Sequence, residues 1–208
     1  METITNTELT FARNIVNQGL LKAAESLSFF MKETISLDEL DYNFNKPANP
    51  ADFTTKKGEN IHLLLTEVIG ELKGVCCLIF SNEEADKLRH TALSPEIMNN
   101  PEIMAEMSDG ILLEVDNIIS ASVITQFSNI LKHKIHGGVP KLKRLNDTEV
   151  NQYVKSKLED DMFIISFNTH FVSANLDFSP QFLWLFDSSF TKSIKKFAAD
   201  EANTETMI

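Results

Sequence analysis

Apolar residues in the first third of the chain recur at helical spacing and then give way to alternation. The spacing over residues 6–33 predicts a long helix, with Asn6 or Thr7 as its N-cap. Residues 34–44 alternate between apolar and polar, which predicts a strand. Residues 45–60 contain two prolines and one glycine, which favours a loop or an exposed hairpin tip.

Two apolar runs and a capped polar segment follow. Residues 61–81 read as two strands joined between two glycines, and the run VCCLIF is typical of a strand buried on both faces. Residues 81–93 predict a short helix that begins with a capping box formed by Ser81 and Glu84. Residues 94–107 repeat the letters PEIM, which predicts an irregular connector of helical turns.

The second half of the chain resembles the first in its order of patterns. It predicts a long helix, a strand entered through a Gly-Gly turn, a helix or ordered loop, two further strands and a closing helix. These occupy residues 107–132, 135–145, 147–161, 162–178, 181–187 and 188–201, and the tail after them is predicted to fray.

The two halves can be overlaid. NIVNQGLLKAAESLSFFMK (14–32) matches NIISASVITQFSNILKHKI (117–135), and VCCLIF matches FLWLFD before the following helix. We therefore expect one α+β domain over residues 1–208, with pseudo-repeats at about 1–100 and 105–208. Its expected architecture is an extended, mostly antiparallel sheet with long helices packed on one face.

The composition of the chain agrees with one domain and argues against two classes of partner. The chain has 208 residues, of which 43% are hydrophobic, enough for a sizeable core. Its formal net charge of -11 and its sequence pI of about 4.9 argue against nucleic acid and anionic membranes as partners. No run approaches the ~20 apolar residues of a membrane span, and no signal peptide is recognisable at the start.

The two cysteines, Cys76 and Cys77, are neighbours in a predicted strand. Their side chains point to opposite faces, so they are poorly placed to form a disulfide with each other. Reduced core cysteines indicate a cytoplasmic protein.

The second long helix separates its polar residues between two faces. On a helical wheel Glu114 and Asn117 lie side by side, with the small residues Gly110 and Ala121 one turn or so away. Asp116 falls instead inside the apolar arc, where an ionised carboxylate needs a partner. That arc is formed by Leu112, Val115, Ile119, Val123, Phe127, Ile130 and Leu131.

From the wheel alone, Glu114 and Asn117 are either a solvated helix face or a site that a partner can approach closely. Other candidates are weaker. His133 and His136 have no third ligand nearby and read as residues at a helix end rather than as metal ligands. No glycine-rich phosphate loop is present.

The run LLEVDNIISAS followed by VPKL resembles the signature of the CheC/CheX/FliY family of chemotaxis phosphatases. That signature has a Glu, two residues, an Asn, and a proline 23 residues after the Asn, which Glu114, Asn117 and Pro140 match. GVCCLIFSNEEADKL is similar to the family's strand-then-helix segment. The resemblance covers nearly the whole chain and implies a CheC-like fold.

The chain departs from the family pattern in several places. Gly110 stands where the family has Ser or Asp, and Asp116 where it often has Gly. In the first half, Asn14 is taken to match the motif Asn, with Phe11 at the Glu position and Leu37 at the proline position. The resemblance then implies one intact site and a degenerate copy in the first half.

The activity implied by the resemblance is hydrolysis of the aspartyl phosphate of a CheY-like receiver. Asn117 would position the attacking water, Glu114 would pair with a receiver lysine, and Gly110 and Ala121 would lie against the partner. No cofactor of its own is implied, since Mg²⁺ would come with the receiver. The alternative is a non-catalytic CheC/FliM-like docking protein.

Two further partners stay open at this stage. Some relatives bind a CheD-like deamidase. A homodimer would be favoured if residues 167–178 form a sheet edge.

Overall fold

A computed structural model describes residues 4–43, 53–159 and 162–205. Its helices in these ranges are α1 (Asn6–Met31), α2 (Asn82–Ala92), α3 (Pro95–Met98), α4 (Pro101–Leu131), α5 (Asp147–Lys157) and α6 (Ser188–Glu205). Its strands are β1 (Ser36–Asn43), β2 (Ile61–Gly70), β3 (Gly74–Phe80), β4 (Ile135–Gly137), β5 (Lys141–Leu145), β6 (Phe163–Val172), β7 (Asp177–Phe178) and β8 (Gln181–Phe186).

All eight strands join one antiparallel sheet whose order is β1-β6-β8-β3-β2-β4. The short β5 pairs with the first part of β2, beside β4, and β7 pairs with β6. The order is symmetric about the central β3–β8 pair. On each side of this pair, one half of the chain supplies the two inner strands and the other half supplies the edge strand. The predicted antiparallel sheet with two pseudo-repeats is confirmed, and the division at about residue 100 stays a prediction.

The sheet is buried on both faces. The larger core lies between the sheet and the long helices α1 and α4, and aromatic side chains such as Trp184 and Phe186 fill it. The opposite face is covered by α5, whose Val150 and Val154 are fully buried. Sheet residues alternate between the two cores, which explains the nearly continuous apolar runs of the central strands.

The helices α1 and α4 pack closely and run antiparallel. Near their crossing point Gly19 of α1 faces Val123 of α4, and further along α1 Ser26 and Phe29 share a cavity with Glu114 and Ile118. A Cβ at position 19 would lie 2.6 Å from the Val123 Cα, so glycine permits this approach.

The two long helices repeat each other at a spacing of 100 residues. From residue 11 onward their buried positions coincide after adding 100: residues 11, 12, 15, 16, 19, 20, 23, 24, 27 and 31 recur as 111, 112, 115, 116, 119, 120, 123, 124, 127 and 131. Each helix ends at a left-handed lysine, Lys32 with φ 56° and Lys132 with φ 51°. The overlay of residues 14–32 on 117–135 is therefore wrong by three residues.

Several predicted helix limits need correction. The N-cap of α1 is Thr5, which forms a capping box with Glu8, rather than Asn6 or Thr7. The helix α4 begins at Pro101 and not at residue 107, because proline suits the first turn of a helix and Asn100 caps it. The closing helix α6 extends to Glu205. The capping box of Ser81 and Glu84 at the start of α2 is confirmed.

The predicted strands also divide differently. The single strand at 135–145 is two strands, β4 and β5, interrupted at residues 138–140, where the Gly138 N–H donates to the Glu67 carbonyl over 2.8 Å. Residues 162–178 form β6 and β7. Because β6 lies between β1 and β8, residues 167–172 do not form the sheet edge on which the predicted homodimer depended. Much of the predicted loop at 45–60 lies outside the described residues.

One helix, α4, is long and apolar enough to cross a membrane by length and composition alone. Half of the relevant stretch is buried inside the fold, where its apolar side chains form the core with α1 and the sheet.

Candidate functional site

The outward face of α4 presents the two residues of the predicted motif. Glu114 and Asn117 are both exposed, as are Gly110 and Ala121 on the same stripe. The residues of the predicted apolar arc are buried, except Ile130, which is half-buried. The face of small and polar side chains predicted from the wheel is therefore confirmed as a surface.

Glu114 and Asn117 are available to a partner. Within the part of the chain that the structure describes, neither side chain forms a hydrogen bond or an ion pair. Their spacing of three residues places them beside each other on one turn. A carboxylate acceptor and an amide with both donor and acceptor are thus presented together to solvent.

A cavity of about 700 Å³ opens beside Glu114, between α4 and the C-terminal end of α1. Glu25 and Phe29 of α1 and the C-cap residue Lys32 line it together with Glu114 and Ile118 of α4. Phe29 is 90% exposed, which is unusual for a phenylalanine in a long core helix. Phe29 was not among the predicted site residues, although the helical spacing of α1 places it outside the buried face of that helix.

Asp116 is the buried member of the motif region. Its carboxylate accepts hydrogen bonds from the Thr66 hydroxyl of β2 at 2.6 Å and from the Ser120 hydroxyl at 3.1 Å. Burial raises the pKa of Asp116 to about 6, although both hydrogen bonds oppose the rise. The partner that the sequence required for this carboxylate is therefore a pair of hydroxyl groups, and the residue ties α4 to the sheet.

Gly110 leaves open space on the α4 surface. A Cβ built there meets nothing within 4 Å, so the serine or aspartate of the family pattern would fit without any shift. The glycine is therefore not required by packing. Pro140 lies in the interruption between β4 and β5, where it is half-buried.

The first half of the chain presents a related but altered pair on α1. With the spacing of 100 residues, Asn14 takes the position of Glu114 and Asn17 that of Asn117. Asn14 is exposed and Asn17 half-buried, whereas Phe11, previously assigned to the Glu position, is buried. The first half thus keeps an amide at the Asn position and lacks the carboxylate.

The histidines and cysteines considered in the sequence analysis lie away from the α4 pair or are buried in the cores. His133 shares a 2.8 Å hydrogen bond with Ser193 and His136 is exposed. Cys76 and Cys77 are free and buried in opposite cores, and burial raises the pKa of both thiols. Among the described residues, no three His, Cys, Asp or Glu side chains lie close enough together to hold a metal ion.

The fold has clear counterparts among solved structures. FliY from Thermotoga maritima superposes with a TM-score of 0.69 over 96% of this chain and 99% of FliY, at 16% identity. The chain has a CheC-like fold. FliM in the FliM–SpeE complex from H. pylori matches with a TM-score of 0.56, 13% identity and coverage of 99% of this chain and 100% of FliM. CheX from Desulfovibrio desulfuricans matches with a TM-score of 0.51, 11% identity and coverage of 81% and 97%.

Comparison of the sequence with protein families and with curated proteins identifies no relative of this chain. No protein-family model matches the chain, and no curated protein sequence matches it. The structural likeness establishes the fold, and the chemistry must be argued from the residues on the α4 face.

Proposed function

We propose that the protein is a phosphatase for the aspartyl phosphate of a CheY-like receiver domain, within a chemotaxis system. The observation that carries the proposal is the exposed pair Glu114 and Asn117 on α4. Both side chains lack partners within the described ranges, and the pair stands on a fold shared with FliY and CheX.

Asn117 is the residue proposed to act on the reacting water. Its amide can donate one hydrogen bond to a receiver-bound phosphoryl oxygen and accept one from water, which holds the water in line with phosphorus. The water oxygen bonds to phosphorus as the bond to the receiver carboxylate breaks, and inorganic phosphate leaves. The receiver's Mg²⁺ supplies charge neutralisation, so this chain needs no metal of its own.

Glu114 and its surroundings are proposed to fix the docking. The carboxylate pairs with the receiver lysine, and opposite charges across an interface set the register of two proteins. Phe29 adds an exposed aromatic ring at the rim of the same cavity, and aromatic anchors contribute much of the binding energy at interfaces. The bare backbone at Gly110 and the small Ala121 allow a receiver surface to approach α4 closely.

A non-catalytic docking role is the second candidate. It is favoured by the likeness to FliM over almost the whole chain and by the loss of the carboxylate at Asn14 in the first half. In that role the α4 face would bind a receiver or another chemotaxis protein without hydrolysis.

The deciding experiment measures the decay of phosphorylated receivers from the same cell with and without this protein. We expect the wild type to accelerate phosphate release and Asn117→Ala to lose about a hundredfold of the acceleration, because the water is no longer positioned. Asn129→Ala removes another exposed amide from α4 and serves as the matched control. An unchanged decay of every receiver would leave only the docking role.

Binding separates the two roles within the motif. Glu114→Ala and Phe29→Ala should weaken the affinity for a receiver trapped with a phosphoryl mimic, each by about tenfold, whereas Asn117→Ala should leave it nearly unchanged. Titration calorimetry measures these affinities. Equal losses for Glu114→Ala and Asn117→Ala would contradict the division between docking and water positioning.

A further inference from the structure

A second cavity, of about 330 Å³, lies at the corner where α2 and α4 meet the strands β2 and β5. Polar side chains line it: Asn60, His62, Asn82, Arg89, Ser108 and Arg144. Each of these six side chains can donate a hydrogen bond, and two of them are arginines. This concentration of donors is unexpected on a chain whose net charge is -11.

The protonation of His62 follows from its neighbour. His62 is 1% exposed, and its Nε2 lies 3.0 Å from Nη2 of Arg89. Arginine can only donate, so Nε2 accepts and the ring proton of neutral His62 is on Nδ1. Burial, with the charge of Arg89 next, lowers the pKa of His62 to about 4, so the ring is neutral.

Two buried donors are left without an acceptor. In the described part of the chain, neither the His62 Nδ1 nor the Arg89 Nε has a hydrogen-bond partner. Buried donors almost always have a hydrogen-bond acceptor, because a donor that lacks one destabilises the folded state by the full free energy of its desolvation. Both residues line the same cavity, and a small rotation of the two side chains would turn both donors toward one group with acceptor oxygens.

The second arginine stands opposite His62. Arg144 of β5 pairs directly with His62 in the sheet register, which places both side chains on the same face. Arg144 forms an ion pair with Asp109, and Arg89 forms one with Asp86 at 2.6 Å. The charges around the cavity therefore balance, and an occupant is held by directed hydrogen bonds, with an arginine on two sides.

We propose that this cavity binds a small oxyanion, a phosphate or carboxylate group. The oxygens would accept from the His62 Nδ1 and the Arg89 Nε, and Arg144 would add a charged donor from the opposite strand. Ser108 and Asn60 supply further polar groups at its wall. The inference does not rest on the proposed phosphatase activity, because no residue of the α4 pair lines this cavity.

Titration of the wild-type protein with inorganic phosphate, at constant pH and ionic strength, tests the proposal. The ring resonances of the five histidines report the site by NMR. We expect a saturable shift of the His62 signals and no comparable shift of His170, which lies in β6 outside this cavity. A parallel titration with acetate distinguishes the sources, since a carboxylate site responds to both anions and a phosphate site to phosphate alone.

Two variants of β5 make the experiment specific. Arg144→Gln should weaken phosphate binding by about tenfold, because a charged hydrogen bond is lost. Lys141→Gln removes the same charge from an exposed residue of the same strand and should leave the affinity within about twofold. Circular dichroism confirms that both variants are folded.

The proposal is overturned if neither anion shifts His62, which would mean that water alone satisfies the two donors. It is equally overturned if Arg144→Gln and Lys141→Gln reduce the response alike, since that outcome reports general charge screening. A saturable response that only Arg144→Gln weakens supports it.

Discussion

Asp116 shows how a single buried residue can position a surface site. Its carboxylate is bonded to Thr66 of β2 and stands next to Asn117 in the chain. The bond ties α4 to β2 and, together with the buried apolar residues of the helix, holds Glu114 and Asn117 on the outward face. The equivalent residue of the first half is Val16, which is also buried, so the second half has a polar tether where the first half has an apolar contact.

Asp116 should make stability depend on pH. Below about pH 4 the carboxyl is protonated in both states, whereas between about 4 and 6 only the unfolded chain releases its proton. Wild-type stability should therefore fall as the pH rises through this window. The shift of the pKa from 3.8 to about 6 corresponds to roughly 3 kcal/mol.

The variant Asp116→Asn keeps groups that can bond to both hydroxyls and removes the titration. Its stability relative to the wild type should rise by roughly 3 kcal/mol between pH 4 and pH 8, as measured by urea unfolding. Glu114→Gln removes an exposed carboxylate from the same helix and is the control. Parallel pH profiles for Asp116→Asn and wild type would show that the carboxyl is not buried as described.

At the scale of elements, the contact between α1 and α4 sets the geometry of the site. Their antiparallel packing brings Phe29 to Glu114, and the close approach depends on Gly19. Sequence periodicity predicted both helices and the buried face of α4, but not which residues of one helix meet which residues of the other.

Gly19→Ala should destabilise the protein by about 1–2 kcal/mol. The added methyl would collide with the Val123 backbone, and this overpacking outweighs the better helix propensity of alanine. Gly110→Ala is the matched control, because its Cβ enters open space and should stabilise by about 0.5–1 kcal/mol. Denaturant unfolding measures both changes, and a shift in the same direction for both variants would contradict the packing.

On the scale of the whole molecule, the two halves are interleaved. The first-half strand β1 pairs with β6 of the second half, and β4 and β5 of the second half pair with β2 of the first. Each half also supplies one of the two long helices of the shared core. The repeat in sequence is therefore not a pair of independent folding units.

Separate fragments should reveal this interleaving. We expect residues 1–99 and 100–208, each expressed alone, to lack a cooperative unfolding transition, because their edge strands and helix faces have lost their partners. Mixing the two should restore the circular dichroism spectrum and the transition. A single half that unfolds cooperatively by itself would show that the pairing across halves is dispensable.

Much of the fold could be predicted because the patterns are local. Alternation and helical spacing report which face of an element is buried, and capping residues such as Ser81 mark where a helix begins. The errors arose where a local signal was ambiguous. Both PEIM segments begin helices at their prolines, and the Gly-Gly-Val-Pro stretch divides one predicted strand into two.

The candidate site also has a part that the sequence predicted and a part that it did not. The wheel alone separated Glu114 and Asn117 from Asp116, because burial along a helix follows its 3.6-residue period. The correspondence of Asn14 was wrong since matching letters outweighed matching burial, and only the structure showed that Asn17 occupies the Asn position.

The sequence by itself determined most of the elements, the buried face of α4 and the outward pair on that helix, since these depend on spacing within one segment. Only the tertiary structure decided how the halves interleave, what bonds Asp116, that Phe29 stands beside Glu114, and that His62 meets Arg89 and Arg144 at one cavity. Those contacts join residues that are far apart in the chain, and no local period records the partner of a residue across the sheet.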